Sequence, residues 1–93
     1  TVYMQYKNNK TLQLIKALGN VIKEERQTKA KSQTMLAYEY ELDSGNLCRV
    51  ENGKIEAKIS MLWRIAEALD IPLSSLIKKL EQKLGKDFFI IEK

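Results

Sequence analysis

Histidine is absent from the 93-residue chain, and cysteine occurs once, as Cys48. Without histidine there is no Ser-His-Asp triad, no imidazole general base and no commonest metal ligand. One cysteine allows neither an intrachain disulfide framework nor a Cys/His zinc site. The expectation is therefore a protein with no catalytic residue, no metal and no cofactor. A lone free thiol fits a reducing compartment, so the expected location is the cytoplasm. One proline and four glycines are too little turn punctuation for an all-β fold. No run approaches the ~20 apolar residues that a membrane span needs, and no signal-peptide pattern is legible.

What is present is ordinary for a small globular domain. Hydrophobic residues make up 44% and charged residues 30%, so the chain has enough apolar material to fold as one domain with a modest core. Sixteen Lys and Arg against twelve Asp and Glu give a net charge of +4. That tilt favours an anionic partner such as nucleic acid.

Apolar spacing predicts five helices. The first runs from about Thr11 to Thr28, with Leu14, Leu18, Val21 and Ile22 three and four residues apart and Ile15 widening the stripe. Gly19 weakens this helix by ~1 kcal/mol, and its place in a strong pattern points to another element packed closely there. Ser32 and Asp43 read as N-caps of two short helices. The first, from Gln33 to about Tyr40, faces inwards with Leu36 and Ala37. The second spans Ser44 to Glu51, faces inwards with Leu47 and Val50, and stops at Asn52-Gly53. Helix four, about Ile59 to Leu69, is expected to bury Ile59, Leu62, Ala66 and Leu69, with Ile65 beside them. Asp70-Ile71-Pro72 breaks it. Helix five, about Leu73 to Leu84, carries the cleanest stripe: Leu73, Leu76, Ile77, Leu80 and Leu84. The domain reading is an N-terminal arm over 1–10, a helical domain over 11–84 and an apolar tail over 85–93. Val2, Met4 and Tyr6 alternate with polar or aromatic neighbours, and Phe88–Ile91 are consecutive apolar residues. Strand-like segments at the two ends are thus part of the expected fold, which is all-α in its body.

Two short helices in tandem form the geometry that lets a second helix enter the major groove of DNA. Four stretches sharpen this: LGNVIKEERQ (18–27), SQTMLA (32–37), LCRVENGK (47–54) and LWRIAEALDIPLSSLI (62–77). In this order and at these intervals, they resemble the Cro and phage-repressor type of helix-turn-helix domain, the XRE-like family. The resemblance implies a five-helix, repressor-like domain whose third helix reads DNA. It also implies an ion pair between Arg26 and Glu51, joining helices one and three.

Base contacts are expected from Ser44, Gly45, Asn46 and Arg49. Arg49 suits guanine O6 and N7, and Gly45 lets the backbone approach. Phosphate contacts are expected from Ser32 and Gln33, at a helix N-terminus, and from Asn52, Lys54 and Lys58. The resemblance further implies a homodimer on double-stranded DNA, with the last helix and Phe88–Ile91 as its contact. Against the family's pattern, Glu41 stands where the turn often has glycine, and Glu39, Glu41 and Asp43 would repel phosphate. An acidic second helix also suits a protein-interaction module, such as the antitoxin of a toxin pair. Cys48 reads as a small residue on the exposed helix, with a redox-sensitive thiol as the alternative. Trp63 reads as a residue that packs. The carboxylate pairs Glu24 with Glu25 and Glu39 with Asp43 read as solvated faces.

Overall fold

The structure is a computed structural model, and it describes residues 9–39 and 42–91. The alternating stretch at Val2 to Tyr6 and the turn positions Tyr40 and Glu41 lie outside the described residues. Among the described residues there are five helices and no strand: α1 (Asn9–Thr28), α2 (Gln33–Glu39), α3 (Ser44–Glu51), α4 (Ile59–Ala68) and α5 (Leu73–Leu84). Helix α1 therefore begins inside the segment expected to be the arm. Among the described residues, Phe88–Ile91 follow Gly85 as neither helix nor strand; the N-terminal segment with which a strand was expected to pair lies outside those residues.

Helix α1 is the spine. It packs against α3 on one side and α5 on the other, while α2 rests on α3 and α4 on α5. Its stripe of Ile15, Leu18, Val21 and Ile22 is buried, and Leu36, Leu47, Val50, Leu62, Ile65, Leu69 and Leu76 meet it. Lys79 and Lys83 of α5 pair with Glu25 and Glu24 of α1 at 3.2 and 3.1 Å. These bridges are largely exposed and contribute little energy, but they fix which edge of α5 faces α1.

Ile59, expected in the core, is outside it, and Trp63, read as a residue that packs, is exposed as well. Ile59 is 65% exposed and Trp63 58% exposed. Leu62, Ile65, Ala66 and Leu69 form the inward stripe of α4; Ile59 precedes it at the first position of the helix, and Trp63 is rotated by about 100° from Leu62, off the stripe.

Three helices end alike. Lys31 N–H donates to Arg26 C=O and Ala30 N–H to Gln27 C=O; Gly53 and Lys54 repeat the pattern on Val50 and Arg49, and Asp70 and Ile71 on Glu67 and Ala66. Each is a Schellman ending, which requires a left-handed residue. The residue is Gly53 in one case, but Ala30 (φ 56°) and Asp70 (φ 59°) in the others. Alanine in this region carries a steric cost of roughly 1–2 kcal/mol. Ala30→Gly is therefore expected to raise stability by about 0.5–1 kcal/mol, after glycine's greater freedom in the unfolded chain is set against the relief. A thermal melt should show a gain of about 4 °C.

Candidate DNA-binding surface

The recognition helix is held at both ends. At its start the Asp43 carboxylate accepts the Asn46 N–H at 3.0 Å and caps α3. At its end Glu51, whose side chain is 1% exposed, accepts Arg26 Nε at 2.7 Å on one oxygen and Arg26 Nη2 at 2.9 Å on the other. The same guanidinium donates from Nη1 to Lys31 C=O at 2.8 Å. One side chain thus ties the end of α1, the turn into α2 and the end of α3. The Glu51 hydrogen bond keeps the Arg26 pKa above even its usual high value, against the opposing effect of burial. This two-pronged geometry is the strong form of a charged hydrogen bond.

A third donor completes the cluster. Gln33 Nε2 donates to Glu51 Oε1 at 2.8 Å. The expectation gave Gln33 to a phosphate alone; the structure shows one amide hydrogen committed to Glu51. A primary amide carries two donors, so the second remains to point outwards. Ser32 caps α2, its hydroxyl oxygen accepting the Met35 N–H at 3.0 Å.

Glycine sets how closely these parts approach. A Cβ on Gly19 would lie 2.4 Å from Val50 O and 2.6 Å from Glu51 O. The last turn of α3 therefore rests directly on the backbone of α1, at the level where Glu51 reaches Arg26.

The exposed face of α3 has its own order. Arg49 Nη2 donates to Asn46 Oδ1, and the guanidinium lies over Gly45, 3.5 Å from where a Cβ would stand. Ser44 and Arg49 are exposed, and Gly45 and Asn46 half-buried. Asn52, Lys54 and Lys58 are exposed beyond the helix end. Asn52 Nδ2 also donates to Cys48 Sγ at 3.4 Å, which gives the half-buried thiol a local structural contact.

Some neighbours were missed from sequence. Lys16, Asn20 and Lys23 of α1 line one shallow cleft with Glu51 and Asn52. Their spacing places them on one helical face, a signal that was legible but unused. On the other flank, Arg64 shares a cleft with Asn46 and Lys58. Acidic character is lower than the composition of α2 suggested, because Glu39 pairs with Lys31 at 3.3 Å. Lys31 also donates to Ala68 C=O at the end of α4, a favourable place for a cation.

Residues 22–76, more than half of the chain, match the helix-turn-helix family. The chain belongs to that family, in its Cro and phage-repressor-like form, and so to the DNA-binding transcriptional regulators. Among solved structures it is similar to the restriction-modification controller protein C.AhdI from Aeromonas hydrophila: 31% identity, 69% of this chain and 96% of that one covered, TM-score 0.64. It is similar also to the controller protein C.Esp1396I, at 26% identity over 78% of this chain and 94% of that one, TM-score 0.72. The clp gene regulator ClgR from C. glutamicum shares the fold at 22% identity, covering 80% of this chain and 96% of that one with a TM-score of 0.73. Among curated proteins, no sequence relative matches. No helix among the described residues is long and apolar enough to cross a membrane.

Proposed function

We propose that this regulator binds a two-fold symmetric operator as a homodimer, with α3 of each copy in the major groove. One observation carries the proposal: the exposed edge of α3 presents Asn46 and Arg49 already joined to each other, on a helix anchored by Asp43 at one end and by Arg26, Glu51 and Gln33 at the other. Side chains ordered before binding lose less freedom on contact. Arg49 keeps donors beyond the one given to Asn46, enough for a guanine edge. Ser44 and Asn46 supply the neighbouring contacts, and Gly45 lets the backbone come close. Ser32, the second amide hydrogen of Gln33, Asn52, Lys54 and Lys58 meet phosphates. Lys16 and Lys23 extend that basic edge beside Asn52. The dimer contact lies on the last helix and the Phe88–Ile91 side. The protein acts by binding in the cytoplasm, without catalysis or cofactor. Its similarity to two restriction-modification controller proteins supports a regulatory role of this kind. With Glu39 paired to Lys31, nothing favours the antitoxin reading over this one.

Selection from random duplexes, followed by fluorescence anisotropy across a salt series, tests the proposal. A symmetric motif should be enriched, and log affinity should fall with log salt by about 0.9 for each phosphate contact. Failure to enrich any motif would overturn it. On the selected site, Arg49→Ala should cost about 1–3 kcal/mol and relax the preference at one base position.

A further inference from the structure

Helix α1 sorts its charges between two edges. Glu24 and Glu25 pair with Lys83 and Lys79 on the side that faces α5. Lys16, Asn20 and Lys23 follow one another at four and three residues, which sets them on one face, and that face borders the end of α3. There they line a cleft of about 200 Å³ with Glu51 and Asn52. The Glu51 carboxylate is buried beneath Arg26 and Gln33, so among the described residues the cleft has a basic rim and no unmatched acid. None of the three α1 side chains has a hydrogen bond or ion pair among the described residues. Lys16 is held in place all the same. Its Cγ lies 2.7 Å from where a Cβ would stand on Gly53, whose φ of +70° already calls for glycine. The lysine stem thus rests on the exit turn of α3, and its ammonium is the free end. Small-molecule sites usually measure roughly 300–1,000 Å³; this smaller, open cleft suits an anion presented from outside.

We infer that this cleft binds a DNA backbone phosphate beyond the bases that α3 reads, with Asn20 and the two lysines of α1 as its ligands. The inference rests on the reading of α3 as the helix in the major groove, and it extends the footprint to a helix outside the tandem pair. Lys16 and Asn20 precede residue 22, where the match to the helix-turn-helix family begins. The site is therefore a property of this chain's own α1 and not of the matched unit. Its dimensions agree with those of a duplex. From Asn46 to Asn52 the chain advances about 9 Å along the helix axis, and the major groove is about 12 Å wide. With the first turn of α3 at the base edges, Asn52 and the α1 face beside it arrive at the groove wall, where the phosphates stand. Lys16 and Lys23 are about 10 Å apart along α1. Their long side chains approach one phosphate from either side, and Asn20, between them, offers it amide hydrogens. A phosphodiester looks alike at every step, so this contact adds affinity and register without sequence information.

Anisotropy titrations of the full chain with its selected operator and with random duplexes, each over a salt series, test the site. Lys16→Gln keeps the Cβ and Cγ that rest on Gly53 and removes the charge. This variant and, independently, Lys23→Gln should weaken both kinds of duplex by the same factor and leave the base preference unchanged. The log–log salt slope should become shallower by about 0.9 per bound copy. At 0.1 M salt that is a loss of about eightfold per bound copy, the factor such a slope gives over the decade below 1 M. Lys16→Arg should keep the parent slope. Both lysines are exposed, so the helical circular dichroism should not change, and if one variant unfolds the other still decides. A second measurement locates the contact: single phosphates of the operator are replaced, one at a time, by uncharged methylphosphonates. One replacement outside the bases that α3 reads should weaken the parent and leave Lys16→Gln unaffected. Parent-like slopes in both Gln variants, a methylphosphonate pattern that is the same in the parent and Lys16→Gln, or a parent with no affinity for DNA would overturn the inference. If no operator is selected, the slopes on random duplexes still decide. Arg49→Ala, run alongside, separates this site from the reading it rests on. If that variant leaves the base preference untouched while the lysine variants behave as expected, the phosphate site stands and the assignment of α3 falls.

Discussion

Arg26→Met is expected to lower stability by about 3–5 kcal/mol, because it leaves the Glu51 carboxylate buried without its cation. For a domain whose whole stability is of the order of 5–15 kcal/mol, that is a large fraction. The loss has three parts. Glu51 gives up both bonds from the guanidinium, Lys31 C=O gives up its donor, and Gln33 is left as the carboxylate's remaining partner. The companion variant Arg26→Met with Glu51→Leu should recover most of the loss, since exchanging both members of a buried pair for apolar groups removes the unpaired charge. Full recovery is not expected, because Lys31 C=O and Gln33 Nε2 still lack their partners. Urea melts of the parent, the two single variants and the double variant close the cycle. A coupling near zero would mean that the pair is incidental. DNA affinity should follow a different order: the double variant, though folded, should bind its operator less well than the parent, because Gln33 and the end of α3 are no longer tied together.

Much of this architecture was readable from the chain, and the reasons differ by element. Helix α5 matched its expected bounds because one proline, one glycine and an unbroken leucine stripe all agree on them. The caps at Ser32 and Asp43 were legible because side-chain oxygen at a helix start has a local purpose. Asp70-Ile71-Pro72 was legible as the end of helix four, but the left-handed residue that closes it was not, and Ala30 was not legible as a helix stop at all. Their left-handed backbone follows from the two hydrogen bonds that close each Schellman ending, not from the residue type. Ile59 was misassigned for a related reason. Apolar periodicity identifies a stripe, but α4 carries two apolar edges, and only the tertiary arrangement decides which one faces α1 and α5. At the site, residue types pointed to Arg49, Asn46 and Gln33, but not to the hydrogen bonds among them. Gln33 bridging to Glu51 joins two residues eighteen positions apart, and no local pattern encodes that contact. The lysines at 16 and 23 were visible as charges, yet their value comes from Gly53, whose backbone lies against Lys16 and brings the end of α3 beside them.

Gly19→Ala should be destabilising although it places a better helix former in a helix interior. In an isolated helix the exchange would gain ~1 kcal/mol. Here the new methyl would sit 2.4 Å from Val50 O and 2.6 Å from Glu51 O. Both contacts are backbone, and Val50 O is also fixed by accepting the Gly53 N–H. Neither oxygen can swing aside as a flexible side chain would, so α3 must move as a body. Overpacking of this kind costs about 3 kcal/mol at the upper end of its usual range, which leaves a net loss of about 2 kcal/mol and a fall in melting temperature of roughly 8–16 °C. Gly45→Ala is the control. Its methyl would meet Asp43 Oδ1 at 3.1 Å and the Arg49 guanidinium beyond that, side-chain atoms that can give by a few tenths of an ångström where backbone cannot, so stability should change by less than about 0.5 kcal/mol. The two exchanges then separate in function as they do in stability. Displacing α3 away from Gly19 draws Glu51 out of reach of Arg26 and Gln33, so operator affinity should fall with stability. Crowding Gly45 should leave the fold intact and weaken only the operator contact, by pressing Arg49 off its place above the helix. A Gly19→Ala protein that melts at or above the parent temperature would show that α1 and α3 are not in backbone contact, and the close seat proposed for the recognition helix would have to be abandoned.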